Sequence, residues 1–342
     1  MRRRGSMRAL RTLGVLLFVA GAIAGAWVYS DWARFVDAPL LIEKDAPPFV
    51  VESGTSFAGI VAKVRERRLS AAEPLYWRAL AERMGVAKAL HAGEYELEPG
   101  LTPRGLLAKL ARGEVVQHRF TIVEGWTFRE LRAALAQHEG IGHELDALGD
   151  PEIMVKLGAP GVEPEGRFLP ETYAYSRGDS DLDVLARAKR AMDEALAAAW
   201  AARAADLPLK SPDEALVLAS IVEKETGVPA ERPRIAGVFA RRLKIGMLLQ
   251  TDPTVIYGLG SAFTGNLTRA HLEADSPYNT YTRAGLPPTP IALPGKAALA
   301  AATQPAPGNE LYFVARGDGS HEFTASLAAH NAAVAKYQLR RR

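Results

Sequence analysis

The strongest pattern in the chain is a single apolar run near its start. From Leu13 to Tyr29 the residues are nearly all apolar and none is charged. At about 1.5 Å per helical residue, such a run just spans a bilayer core. The sequence therefore predicts a transmembrane helix over 13–30, preceded by a basic stub over 1–12 and followed by a linker over 31–48 that ends in Pro47-Pro48. Beyond the linker the period changes. Phe49 to Glu52 reads as a short strand, and Phe57, Ile60, Val61 and Val64 recur at the spacing of an amphipathic helix. A helix over 74–85, a strand within 91–97 and a helix over 101–110 complete a small module over 49–115. Alternation over 117–123, with Phe120 and Ile122 on one face, opens a larger domain over 116–342. Its helices are expected at 128–137, 151–157, 180–204, from Pro212, and at 229–244. Residues 250–310 are dense in Gly, Pro, Thr and Asn, yet they carry Tyr257, Phe263, Tyr278 and Tyr281, so they read as ordered loops rather than disorder. A hairpin around Gly317-Asp318-Gly319 and a helix over 325–337 close the chain. These elements describe an α+β protein with one N-terminal transmembrane helix, a small βααβ module and a larger mixed α/β domain.

Charge orients the first element. Arg2, Arg3, Arg4, Arg8 and Arg11 precede the apolar run, and no acid occurs before Asp31. The excess of arginine keeps the N-terminus cytoplasmic and exports everything after Asp31. Trp27, Tyr29 and Trp32 mark the far end, where aromatic rings favour the headgroup level. Ala24-Gly25-Ala26 would also suit a cleavage site, so a removed signal peptide is the alternative. The length of the run and its aromatic rim favour a retained anchor. The rest of the composition is ordinary: 342 residues, 48% hydrophobic, 24% charged and a net charge of +3. No aromatic interleaving accompanies the basic residues, so no nucleic-acid partner is expected. Lys63 to Arg68 and Arg340 to Arg342 read as solvated faces or tails. The absence of cysteine excludes disulfides, thiolate metal sites and a Cys nucleophile. The seven histidines show no ligand spacing, and there is no phosphate-binding glycine loop or nucleophile elbow. No metal and no cofactor are expected.

The candidate chemistry lies on one helix. Ser211 reads as its N-cap, Pro212 as its first residue, Glu214 as the return arm of a capping box, and Gly227 as its stop. Glu223 and Glu225 leave its last turn on nearly opposite faces. Glu225 follows Leu218, Ile221 and Val222 at helical spacing, so it continues an apolar stripe, while Glu223 falls on the far side near Leu216 and Ser220. Apolar surroundings and the negative pole of a helix C-terminus both resist ionisation of a carboxyl. Glu225 is thereby suited to general acid catalysis near neutral pH. A surface ion pair with Arg241 or Arg242 is the competing reading for the same residue.

The run Leu218-Ala219-Ser220-Ile221-Val222-Glu223-Lys224-Glu225-Thr226 resembles the endolytic murein transglycosylases, the YceG-like family. The likeness continues through Leu249-Gln250-Thr251-Asp252-Pro253-Thr254-Val255-Ile256-Tyr257-Gly258, Tyr278-Asn279-Thr280-Tyr281 and Gly285-Leu286-Pro287-Pro288. Upstream it includes Ala92-Gly93-Glu94-Tyr95, Val123-Glu124-Gly125-Trp126 and Phe168-Leu169-Pro170-Glu171-Thr172-Tyr173, and downstream Leu311-Tyr312-Phe313-Val314, His321 to Phe323 and His330-Asn331. The family pattern has Asp at the position of Glu171. The resemblance implies that the small module is LysM-like, that the larger domain is catalytic, and that Glu225 is the catalytic acid.

It further implies non-hydrolytic cleavage of the MurNAc–GlcNAc β-1,4 bond of peptidoglycan, leaving 1,6-anhydro-MurNAc ends and limiting the length of nascent glycan strands. The location implied is the bacterial inner membrane, with the catalytic domain periplasmic and penicillin-binding proteins as partners. Candidate substrate-binding residues are Glu171, Gln250, Thr251, Asp252, Tyr278, Asn279, Thr280 and Tyr281. Their polar groups suit sugar hydroxyls but equally suit loop bracing, and the tyrosines suit stacking or core packing. Glu171 and Asp252 are candidates for the second carboxyl that a muramidase-type hydrolase needs. A membrane-anchored glycan-binding scaffold without activity is the other alternative.

Overall fold

The structure, a computed structural model, describes residues 3–339. Arg2 of the basic stub and the Arg340 to Arg342 cluster lie outside the described residues. The chain forms two compact units that divide at His118, with Ser176–Gly178 joined to the first.

In the first unit the apolar run sits inside a longer helix, α1 (Arg3–Asp37). Its segment Arg11–Asp37 is long and apolar enough to cross a membrane, and large apolar side chains from Leu13 to Tyr29 are exposed. The helix does not stop at residue 30. No Gly or Pro interrupts the chain between Asp31 and Ala38, and Pro39 is the first breaker. Residues 31–37, expected as linker, therefore form its last turns. Phe35 and Val36 there are buried with Trp77, Tyr95 and Leu106 in the unit's core. Tyr76 donates to Asp31 at 2.8 Å. Around that core lie β1 (Phe49–Val51), α2 (Phe57–Glu66), α3 (Pro74–Met84), β2 (Gly93–Tyr95) and α4 (Pro103–Arg112). Strand β1 pairs antiparallel with β2, Phe49 opposite Tyr95. Ser56 and Thr102 cap α2 and α4 by accepting from Gly59 and Gly105 backbone N–H groups.

The second unit begins at Arg119, inside β3 (His118–Thr121), and continues with α5 (Phe128–Ala136), α6 (Asp150–Lys156), β4 (Thr172–Tyr175) and α7 (Asp181–Ala201), with β3 paired to β4. Then come α8 (Pro212–Glu225), α9 (Arg232–Lys244), α10 (Asp252–Leu259), α11 (Arg269–Glu273) and α12 (Lys296–Thr303). The hairpin of β5 (Tyr312–Ala315) and β6 (His321–Thr324) places Phe313 opposite Phe323, and α13 (Leu327–Val334) follows. The stretch 250–310 is thus not all loop. Asp252 and Pro253 start α10, where an acid and a fixed φ both favour a helix N-terminus, and alanine carries α12. The density of Gly and Pro around these short helices hid them.

Helix α8 is the centre of this unit, packed by α7, α9, α10 and α12. Ser211 accepts from Glu214 N–H at 3.2 Å, as the cap requires. The return arm differs from expectation: the Glu214 carboxylate accepts from Lys210 N–H, not from Ser211. Every residue from Ala215 to Val222 is buried. A helix buried on all sides has no apolar stripe to continue, so the expected stripe does not separate Glu225 from Glu223. The helix ends at Glu225, and Thr226 is already extended (φ −147°, ψ 135°), one residue ahead of Gly227.

Candidate active site

Glu225 is the last residue of α8, and its carboxyl opens into a groove of about 520 Å³. That volume lies within the range of about 300–1,000 Å³ typical of ligand pockets. The groove is walled by Arg242 from α9, Gln250 and Asp252 before and on α10, Tyr281, Tyr312 on β5 and His321 on β6. His330 and Asn331 of α13 extend the wall. All these positions belong to the second unit.

The carboxyl is half-buried, and Thr251 donates its hydroxyl to Glu225 Oε1. Burial lifts the Glu225 pKa to about 7, against an ordinary 4.5. The Thr251 hydrogen bond opposes this, the nearby Asp252 charge adds to it, and His321 and Arg242 oppose it more weakly. The ion pair with Arg241 or Arg242 is not formed. Arg241 is turned to Glu310, at 3.2 Å. Arg242 donates instead to the carbonyls of Leu311 at 2.7 Å and Leu249 at 2.6 Å, which pins the chain leading to Gln250 and β5. Among the described residues no cation forms an ion pair with Glu225, and the Thr251 hydrogen bond and the more distant His321 and Arg242 offset only part of the cost of burying the charged form.

Glu223 is held differently. Its side chain is 4% exposed, pairs with Arg232 at 2.9 Å and accepts from Gly295 N–H at 2.9 Å. It is a brace between α8, α9 and α12. A Cβ at Gly295 would lie 1.9 Å from Glu124 Oε1, so a side chain there would have to displace the Glu124 carboxylate from beside Arg232.

The candidate substrate residues separate into two groups. Gln250, Asp252 and Tyr281 line the groove with Glu225, and Tyr281 donates to Asp252 Oδ1 at 2.5 Å. Gln250 holds a left-handed backbone (φ 49°) while its N–H donates to Thr280 O at 3.0 Å. Thr251 reaches Glu225 directly. The others are committed elsewhere. Asn279 is 1% exposed, donates to the carbonyls of Leu272 at 3.0 Å and Ala274 at 2.6 Å, and accepts from Tyr281 N–H. Thr280 accepts from Thr251 N–H at 3.1 Å and bonds Thr254 at 2.9 Å. Tyr278 bonds Thr289 and packs edge-on against Tyr257 at 5.0 Å. These three brace the loop that carries Gln250 and Tyr281. Glu171 is exposed, pairs with Lys296 and does not line the groove.

A model of the YceG-like family matches residues 49–336. The chain belongs to the YceG-like family. It is 29% identical over 316 residues to a Bacillus subtilis protein named endolytic murein transglycosylase, covering 86% of this chain and 87% of that protein. A protein of the same name from Streptococcus pneumoniae is 29% identical over 260 residues, of which this chain spans 66% of itself and 46% of the relative. The crystal structure of a putative YceG-like protein from Listeria monocytogenes aligns with a TM-score of 0.53 at 27% identity, covering 83% of this chain and 98% of that one.

Several groove residues of this YceG-like chain are not among the candidate site residues, although Tyr312, His321 and His330 fall in segments that carry the family resemblance. Arg242, Tyr312, His321 and His330 come from a helix, a hairpin and a further helix, and only the fold brings them to Glu225. A second carboxyl, Glu165, is also lifted to about 7 by burial, against hydrogen bonds from Phe128 N–H and Tyr257 OH. It sits outside the groove and caps the start of α5. Among the described residues no cluster of His, Asp and Glu is placed to hold a metal ion.

Proposed function

We propose that this chain is an endolytic lytic transglycosylase that cuts the MurNAc–GlcNAc β-1,4 bond of nascent peptidoglycan strands. The observation that carries this reading is the Glu225 carboxyl, half-buried in a groove and protonated up to a pH of about 7. Glu225 gives its proton to the leaving glycosidic oxygen as the C1–O bond breaks. The resulting carboxylate takes the proton of the MurNAc 6-hydroxyl as that oxygen bonds to C1, which leaves a 1,6-anhydro end. The acid is regenerated within one turnover. Because the nucleophile belongs to the substrate, one carboxyl suffices, whereas a hydrolase ordinarily flanks the bond with two. Thr251 steadies the carboxylate, and the rings of Tyr281 and Tyr312 offer apolar faces to sugar.

The remaining parts follow from the same reading. The apolar segment of α1 anchors the chain once in the inner membrane, with the arginines cytoplasmic and the second unit periplasmic. Continuity of α1 into the core of the first unit supports a retained anchor that holds a LysM-like module over 49–115. Catalysis there limits strand length beside penicillin-binding proteins.

Digestion of nascent strands by the full chain in detergent tests the proposal. Anhydro ends made by the wild type and not by Glu225→Gln are expected. Asp252 shares the groove, so hydrolysis is the second reading, and reducing ends would establish it. Strand cutting by Glu225→Gln at the wild-type rate would remove Glu225 from the chemistry.

A further inference from the structure

The mechanism above leaves His321 and Glu231 unused. His321 lines the groove with Glu225. Its Nδ1 is 2.7 Å from Glu231 Oε2, and its backbone N–H donates to Glu231 Oε1 at 2.9 Å. Thr226, next after Glu225, donates to the same carboxylate at 3.4 Å. The two side chains are 13% and 12% exposed, and Phe313 packs edge-on against the imidazole at 5.4 Å. Burial alone would raise the Glu231 pKa, but the His321 backbone and ring hold it below the usual glutamate range. Glu231 is thus an ionised, acceptor-only group, and it demands a proton on the nitrogen that faces it. In the neutral imidazole the proton is then on Nδ1, and Nε2 is a bare lone pair. Among the described residues Nε2 has no hydrogen-bond partner.

We propose that His321 is a substrate-binding residue whose Nε2 accepts a hydrogen bond from a hydroxyl or N-acetyl N–H of the sugar beside Glu225, and that Glu231 is the positioning residue that fixes this tautomer. The proposal rests on the glycan reading of the groove. Two neighbouring groove groups are partly engaged already: Arg242 donates from Nε and Nη1 to backbone carbonyls, and Asp252 accepts from Tyr281. A preset acceptor discriminates strongly against sugars that lack the matching donor, because its lone pair would be left buried and unpaired.

The isosteric variant Glu231→Gln isolates this role. The carbonyl of the introduced amide can still accept the His321 backbone N–H, while the amide N–H donates to Nδ1 and forces the proton onto Nε2. Selective ¹⁵N-histidine labelling of the full chain in micelles, read at a pH of about 8.5, well above the ordinary imidazole range, reports the tautomer directly. His321→Gln identifies the resonance. The expected result is the Nδ1–H form in the wild type and the Nε2–H form in Glu231→Gln. Binding of a GlcNAc–MurNAc tetrasaccharide is then measured by calorimetry in a Glu225→Gln background, where no turnover occurs. Glu231→Gln should weaken it by about 10–100-fold, with an unchanged melting temperature. An Nε2–H or doubly protonated ring in the wild type overturns the proposal. So does equal binding with and without Glu231→Gln. If the tetrasaccharide does not bind the Glu225→Gln chain at all, the glycan reading of the groove fails instead, and the tautomer result identifies that case.

Discussion

Glu223 and Glu225 leave the same turn of α8 and meet different partners. Glu223 faces the Arg232 guanidinium and the Gly295 N–H, and 4% of its side chain reaches solvent. Glu225 is more open, yet its direct partner is the neutral Thr251 hydroxyl, and Asp252 adds a like charge nearby. Both feel the same helix pole, so the helix dipole does not distinguish them. Depth of burial does not either, since the deeper carboxyl is the one with a cation. What separates a brace from a candidate acid is whether a positive charge and a backbone donor compensate the carboxylate. That depends on which elements pack beside the turn.

The comparison can be broken in four ways. Glu225→Gln should lower kcat by about 10²–10⁴-fold without unfolding the protein, measured as anhydro ends released; retention of a tenth of the activity would contradict the assignment. Glu223→Ala should act on stability instead. It leaves Arg232, 9% exposed, with only the longer contact to Glu124 at 3.4 Å, and it removes the acceptor of the Gly295 N–H, at a cost of about 1–3 kcal/mol. Urea unfolding of the two variants side by side should show Glu223→Ala far less stable than Glu225→Gln, and similar midpoints would erase the distinction.

The third test uses pH. The folded pKa of Glu225, about 7, lies above its unfolded value near 4.5. Ionisation therefore opposes folding. The cost is absent below pH 4.5, grows between the two values and is complete above about 7. Glu225→Gln should accordingly be more stable than the wild type at pH 8, by about 1–3 kcal/mol once the solvent-facing side of the group is discounted, and should lose that advantage at pH 4. Comparing the two proteins cancels Glu165, which titrates in the same window. Activity of the wild type should fall about tenfold per unit above pH 7, as the acid form is depleted. The smallest effect is expected from Thr251→Val. Removing a donor that favours the carboxylate should move that limb to higher pH by about one unit; a shift to lower pH would mean that Thr251 does not act through Glu225.

Much of the fold was legible. The apolar run, the capped helix from Ser211 and the hairpin around Gly317-Asp318-Gly319 are set by short-range chemistry, so their patterns survive in the sequence. The boundaries of α1 and the helices within 250–310 were not legible. Residues 31–37 gain their helix from burial of Phe35 and Val36, and α10 and α12 are too short for a period to emerge from Gly- and Pro-rich surroundings. The pattern points to Glu225 through a stripe that α8, buried on every side from Ala215 to Val222, does not possess. Its place at the helix end was legible, but the reason it stands apart from Glu223 was not. Asn279 and Thr280 illustrate the same limit: their residue types suit sugar or turn equally, and only their saturated hydrogen bonds show the turn.

The sequence by itself determined the apolar segment near the start, the helix that ends at Glu225, and the run of residues by which the chain belongs to its family. These are properties of neighbours along the chain. The groove was decided only by tertiary structure, which brings Arg242, Tyr281, Tyr312 and His321 to Glu225 and sends Arg232 to Glu223. The physical reason is that a carboxyl's affinity for its proton depends on charges and dipoles within a few ångströms, and here those come from positions far away in the chain.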